Sequence, residues 1–262
     1  MRLRAATALA GALGALLVTP FAWLALLSVA RTWRYPALWP SAWQWDQWRA
    51  LGAEGRALAA HAGVSLLLAC CVGVIATLAG FATSRALRGP GMARAWLPVA
   101  ALPFVLSPVV YGASISQAYG WLGLGGRGAG VFLAQLPFAY GYAVLVCHGF
   151  WTPHTRALLE QARTLGAGRR QRLLRVELPL ARALLGLCLF QTALMSWFDF
   201  ALVRTIGGGR VQTLSLAVFD YFSAGDLRLA SASALLLIAP PALALLWNPA
   251  LLLPAVSRTS QP

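Results

Sequence analysis

The chain contains no lysine; all 21 of its basic residues are arginine. A Gly-x-x-x-x-Gly-Lys-Ser/Thr phosphate loop is therefore impossible, and so is a lysine-bearing nucleotide cradle. Acids are scarcer still, at seven in 262 residues. Charged residues of both signs reach only 11%, against about 25% in a soluble globular domain. With 59% hydrophobic residues and a mean hydropathy of +0.68, this deficit points to a membrane protein. At ~20 residues per span, the length suits about six helices and leaves no room for a soluble catalytic domain. Cysteine is sparse too. Cys70, Cys71, Cys147 and Cys188 lie inside apolar runs, without metal-ligand spacing and without a disulfide framework. They read as small lipid- or core-facing residues. His61, His148 and His154 do not cluster in sequence. No metal site and no catalytic acid–base constellation is expected.

The net charge of +14 would suit nucleic acid in a soluble protein. In a chain this apolar it fits arginine-rich inner loops better, and no nucleic-acid partner is expected.

Apolar runs fall near 5–30, 62–84, 96–118, 129–150, 183–203 and 229–252. The first is longer than a signal-peptide core of 7–15 residues, so it reads as an uncleaved span. The runs lack the short alternation of a barrel. The expected fold is all-α and polytopic, a single membrane domain over 1–262. With the N-terminus inside, the inner side holds Arg2, Arg4, Arg85, Arg88, Arg94, the seven arginines from Arg156 to Arg182, and Arg258. Those thirteen outweigh the eight left outside, which favours N-in, C-in. Trp33, Trp39, Trp43, Trp45 and Trp48 crowd the first outer loop, and Trp96, Trp121, Trp151 and Trp247 sit near span ends. Indole rings favour the headgroup level. Residues 40–58 read as either a short amphipathic surface segment or a plain interfacial loop. Pro98, Pro103 and Pro108 punctuate the third span, Pro137 the fourth, and Pro240 and Pro241 the sixth, where each invites a kink.

The most informative stretch is the charged loop over 151–182. Thr152 suits an N-cap and Pro153 a first helical position. A helix is predicted from Pro153 to Leu165, with Leu158, Ala162 and Leu165 on one apolar face. Gly166 then stands where a left-handed residue ends a helix. A second helix starts near Arg169, leads toward the fifth span, and is interrupted by Pro179. The product is helix, glycine turn, helix, with an exposed acid, suited to docking in a groove of another protein.

Within this loop, Glu160-Gln161-Ala162-Arg163-Thr164-Leu165-Gly166 is followed, after nine residues, by Val176-Glu177-Leu178-Pro179. This resembles the "EAA" loop of bacterial ABC-importer permeases: Glu-Ala-Ala, three residues, Gly, nine residues, Ile-x-Leu-Pro. Gln161 and Val176 depart from that pattern. The resemblance implies a MetI-like type I importer permease in the bacterial inner membrane. Its coupling helix would contact a separate ATPase through Glu160, Gln161, Ala162 and Gly166, with Leu178 and Pro179 fixing how the loop joins the fifth span. It implies ATP and magnesium on the partner ATPase subunits and no cofactor on this chain. A second permease subunit, the same chain or another, and a periplasmic or lipid-tethered solute-binding protein would complete the assembly, surrounded by membrane lipid. The chain itself would be no enzyme.

Asp199 is the only acid inside a predicted span. An ionised Asp at the bilayer centre costs roughly 2.5–3.5 kcal/mol, so it should face the bundle interior, a partner or a vestibule. Its setting, Trp197-Phe198-Asp199-Phe200, resembles the acidic-aromatic segment of polyamine, iron(III), thiamine and sulfate permeases, as does the run from Gly207 to Leu214. Asp199 either lines the translocation path or pairs with a residue such as Arg204. Gln135 and Gln191 are further path candidates, with interhelical hydrogen bonding as their plainer role. An ion-coupled secondary transporter and a non-transporting membrane assembly protein are the rival readings.

Overall fold

The computed structural model describes residues 2–33 and 39–247, and it is almost wholly helical. The last residues of the predicted sixth span, 248–252, together with Arg34 and Arg258, lie outside the described residues, as do the side chains of Arg2, Arg4 and Trp247. Among the described residues, four helices are long and apolar enough to cross a membrane: Gly11–Val29 within α1 (Arg2–Val29), α3 (Gly55–Ala86), α6 (Gly128–His148) and Leu227–Leu246 within α12 (Leu227–Trp247). A bent pair, α4 (Pro90–Ala101) and α5 (Pro108–Trp121), makes five when taken as one span. These are the helices of a membrane protein, four or five where about six spans were expected.

Two predicted spans are broken. The run over 96–118 is bent by 94° between α4 and α5, across a 3-10 turn at Leu102–Val105. Pro103 and Pro108 lack the N–H that would carry the helix through. Ser107, ahead of Pro108, is extended at ψ 135°, as a pre-proline residue prefers. The run over 183–203 stops at Trp197, the end of α9 (Leu178–Trp197), and restarts as α10 (Ala201–Gly207). Pro137, Pro240 and Pro241, in contrast, sit inside unbroken helices.

The chain divides into two compact units. The first comprises 1–63 and 212–242. It holds α1, a two-stranded antiparallel ribbon of β1 (Ala30–Thr32) and β2 (Ala42–Trp43), α2 (Asp46–Ala53), the start of α3, α11 (Leu214–Ser223) and most of α12. The segment over 40–58 thus contains a true helix, with Gln47 and Leu51 buried one turn apart and Trp43 and Trp45 exposed. Asp226 caps α12 by accepting from the backbone of Arg228 and Leu229, and the Arg228 guanidinium donates to the Arg31 carbonyl at 2.9 Å. The Tyr221 hydroxyl donates to Glu54; burial first, then that bond, pushes the phenol up to about 12.

The second unit, over 64–211 and from 243 onward, holds the rest of α3, α4–α6, α7 (Pro153–Thr164), α8 (Arg169–Arg172), α9, α10 and the last residues of α12. In lipid, small residues decide how closely helices pack. A Cβ on Gly80 would stand 2.5 Å from Ala143 Cβ and 2.8 Å from its carbonyl carbon, so α3 and α6 meet backbone to backbone. Thr77 and Thr192 share a hydrogen bond at 3.2 Å between α3 and α9. Cys147 and Cys188 are buried and Cys70 and Cys71 exposed, all as free thiols. Gly80→Ala is expected to cost about 1–3 kcal/mol through overpacking. An unchanged melting temperature in detergent would rule that close approach out.

Candidate functional site

Two places in the second unit gather the chemistry: the 151–182 loop and a cavity beside Asp199.

The loop forms much as its sequence dictates. Thr152 Oγ1 accepts from the Thr155 amide at 3.2 Å, and Pro153 follows as first helical residue of α7. After α7 comes Gly166, at φ 84°. The Gly166 amide donates to Arg163 O and the Ala167 amide to Ala162 O, both at 3.0 Å. This double closure is the Schellman arrangement, which needs a left-handed residue at that point. The chain then turns back through α8. The inward face of α7 differs from the predicted one. Thr155 and Leu159 are buried and Ala162 half-buried, whereas Leu165 is 87% exposed at the tip. The true stripe also follows i, i+4, i+7, but three residues earlier. It starts at Thr155, one turn after the buried Trp151, and Leu159 shares a cluster with that ring.

Glu160, Gln161 and Gly166 are exposed, and Ala162 lies half-buried beneath them. Among the described residues, Glu160 reaches only Arg163, 3.7 Å away on the same open surface. An exposed pair of this kind contributes little, so the carboxylate is only weakly held. Pro179 does not interrupt the second helix. A wide π turn over Leu173–Glu177 runs directly into α9, and this widening of the ladder just ahead of Pro179 takes up its ring and its missing N–H. Leu178 and Val176 pack on the cluster formed by Phe81, Ala143, Cys147, Trp151, Leu159, Ala181 and Cys188.

Behind the loop lies a charged knot that sequence reasoning did not find. Glu177 is 2% exposed. Its carboxylate lies 2.7 Å from Arg85 Nε and 3.0 Å from an Arg88 terminal nitrogen. The Arg88 guanidinium also covers the Trp151 ring at 3.8 Å, and the Trp151 indole N–H donates to Ser84 Oγ at 3.1 Å. Trp151, just past the end of α6, is buried against Phe81 and Phe150. The only advance signal was Glu177 itself, an acid inside the Val-x-Leu-Pro motif of a chain with seven acids. The knot also places Arg85 and Arg88 beside the 151–177 loop, as an arrangement with both on one membrane side requires.

The second place is a cavity of about 180 Å³, lined by Val72, Pro108, Gln135, Phe138, Ala139, Met195, Ser196, Asp199 and Leu202. Gln135 Nε2 donates to Asp199 Oδ2 at 2.8 Å, and Ser196 Oγ donates to Gln135 Oε1 at 2.6 Å. The Leu202 amide donates to Asp199 Oδ1 at 3.2 Å, so Asp199 also starts α10. Of the predicted path residues, Asp199 and Gln135 meet here, joined by Ser196, which the sequence did not single out. Gln191 is half-buried on α9 and is not part of the lining. Pro108 brings the break between α4 and α5 to the same cavity.

No protein-family model matches the chain, and no curated protein matches it.

Proposed function

We propose that the chain is a permease subunit of an ATP-driven importer of the type I ABC class, forming half of a solute pathway in a bacterial inner membrane. The observation that carries this reading is the 153–179 loop. A short helix with an exposed Glu160-Gln161 pair ends in a glycine turn presenting Leu165, and it stands on a buried foundation. That is the shape of a docking element for a grooved partner. Glu160 offers a charge-assisted hydrogen bond to an arginine there. The chain has no lysine for a phosphate cradle of its own. ATP and magnesium would therefore be held by ATPase subunits. Closure of those subunits would draw the loops together and switch access to the path beside Asp199. A solute-binding protein and a second permease subunit complete the reading. This chain moves without doing covalent chemistry.

An ion-coupled secondary transporter is favoured by one observation, the carboxylate of Asp199 in an apolar cavity beside a broken helix pair. Such a protein has no use for the docking loop. Purifying the detergent-solubilised chain and identifying what accompanies it separates the two. An ATPase in stoichiometric amount is expected, weakened by Glu160→Ala. A folded chain that brings down no ATPase and transports without ATP would make the secondary transporter the better reading.

A further inference from the structure

We infer that Glu177 is the positioning residue through which movement of the docking loop reaches α3. This rests on the permease reading above, and it concerns a residue outside the docking face. Both feet of the loop are fastened to the same end of α3. At the outgoing foot, Trp151 precedes the cap of α7; its indole N–H is held by Ser84 and its ring lies under Arg88. At the returning foot, Glu177 closes the π turn and meets Arg85 and Arg88. Arg88 belongs to both fastenings. Ser84 and Glu177 are almost wholly buried, and both arginine side chains are about two-thirds buried.

A carboxylate held this way resists displacement. Leaving one partner would strand a charge away from water, which is far costlier than breaking an exposed pair. The feet are therefore poor places to absorb strain, and a push on the tip is delivered to the end of α3. The π turn adds to this. Its extra residue rotates Glu177 inward while Leu174 and Arg175 stay exposed, and such insertions recur at functional points of helices. The alternative is a static fastening, which would hold the fold together without passing movement on.

The test uses the chain with its co-purified ATPase in lipid nanodiscs. Amide hydrogen exchange is followed at 153–165 and at 80–86, with and without ATP plus vanadate. In wild type both segments are expected to change together. In Glu177→Gln the ATPase stays bound and 153–165 still responds, but the response at 80–86 is lost. If 80–86 responds as in wild type, with only a lower melting temperature, the fastening is static and the inference is overturned. Should Glu177→Gln fail to assemble, Arg85→Gln, which keeps the Arg88 pair, is expected to give a partial loss at 80–86; an unchanged response overturns the inference equally. A wild-type chain that captures no ATPase overturns the permease reading itself, and this inference with it.

Discussion

On the permease reading proposed above, Gly166→Val is expected to weaken capture of the ATPase while leaving the membrane helices folded. A side chain at 166 meets nothing, since a Cβ there has no neighbour within 4 Å. The defect is conformational. At φ 84° an L residue is strained by roughly 1–2 kcal/mol, and a β-branched one by more. The loop escapes that strain by unwinding, which breaks the closures onto Ala162 and Arg163 and swings Leu165 and Glu160 away from their docking pose. Capture of the ATPase is expected to fall roughly tenfold, about 1.4 kcal/mol. Gly166→Asn is the discriminating control, because asparagine tolerates the left-handed region and serves at helix ends. It should retain most of the capture. The melting temperature should barely move in either variant, since position 166 is exposed. Equal capture by valine, asparagine and glycine would mean that this turn aims nothing at a partner.

The docking loop was the most legible part of the sequence because its signals are local. An N-cap, a proline and a glycine act within a few residues of themselves, and all three fall where expected. The face of α7 was less legible. Apolar spacing fits 158, 162 and 165 as well as 155, 159 and 162, and a threonine fills the first inward position. What decides is the anchoring end of the helix, a tertiary fact. Glu177 was illegible for the same reason. Its partners, Arg85 and Arg88, lie about ninety residues earlier, and no spacing rule links them. Long apolar runs announced membrane helices but hid their breaks. Proline inside a run has opposite outcomes here: Pro137 is absorbed within α6, while Pro103 and Pro108 together end one helix and start another. Asp199 was found by its oddity, an acid among aromatics, whereas its partner Ser196 resembled any small residue of a packed helix.

If the chain is the permease proposed above, Asp199→Asn should cut uptake roughly tenfold per chain in the membrane, about 1.4 kcal/mol, and should also weaken the fold. The two effects can be separated because the hydrogen bonds around the cavity are directional. Both Asp199 oxygens accept, one from Leu202 N–H and the other from Gln135 Nε2. Ser196 donates to Gln135 Oε1, which keeps the Gln135 amide nitrogen pointed at Asp199. An asparagine brings one acceptor and one donor, so one contact becomes donor against donor. Leaving such a buried group unmatched costs about 1–3 kcal/mol. Adding Gln135→Glu repairs this. The new glutamate accepts from both Ser196 and the asparagine amide, while the asparagine oxygen still takes Leu202 N–H. The double variant thus restores the bonding and moves the negative charge by one side chain within the same cavity. Its stability should return close to wild type. If the charge lines the path of the transported solute, the double variant should regain much of the uptake lost by Asp199→Asn. If Asp199 only holds the start of α10, Asp199→Asn will lower the amount of chain in the membrane and leave uptake per chain unchanged, and the cavity is then structural.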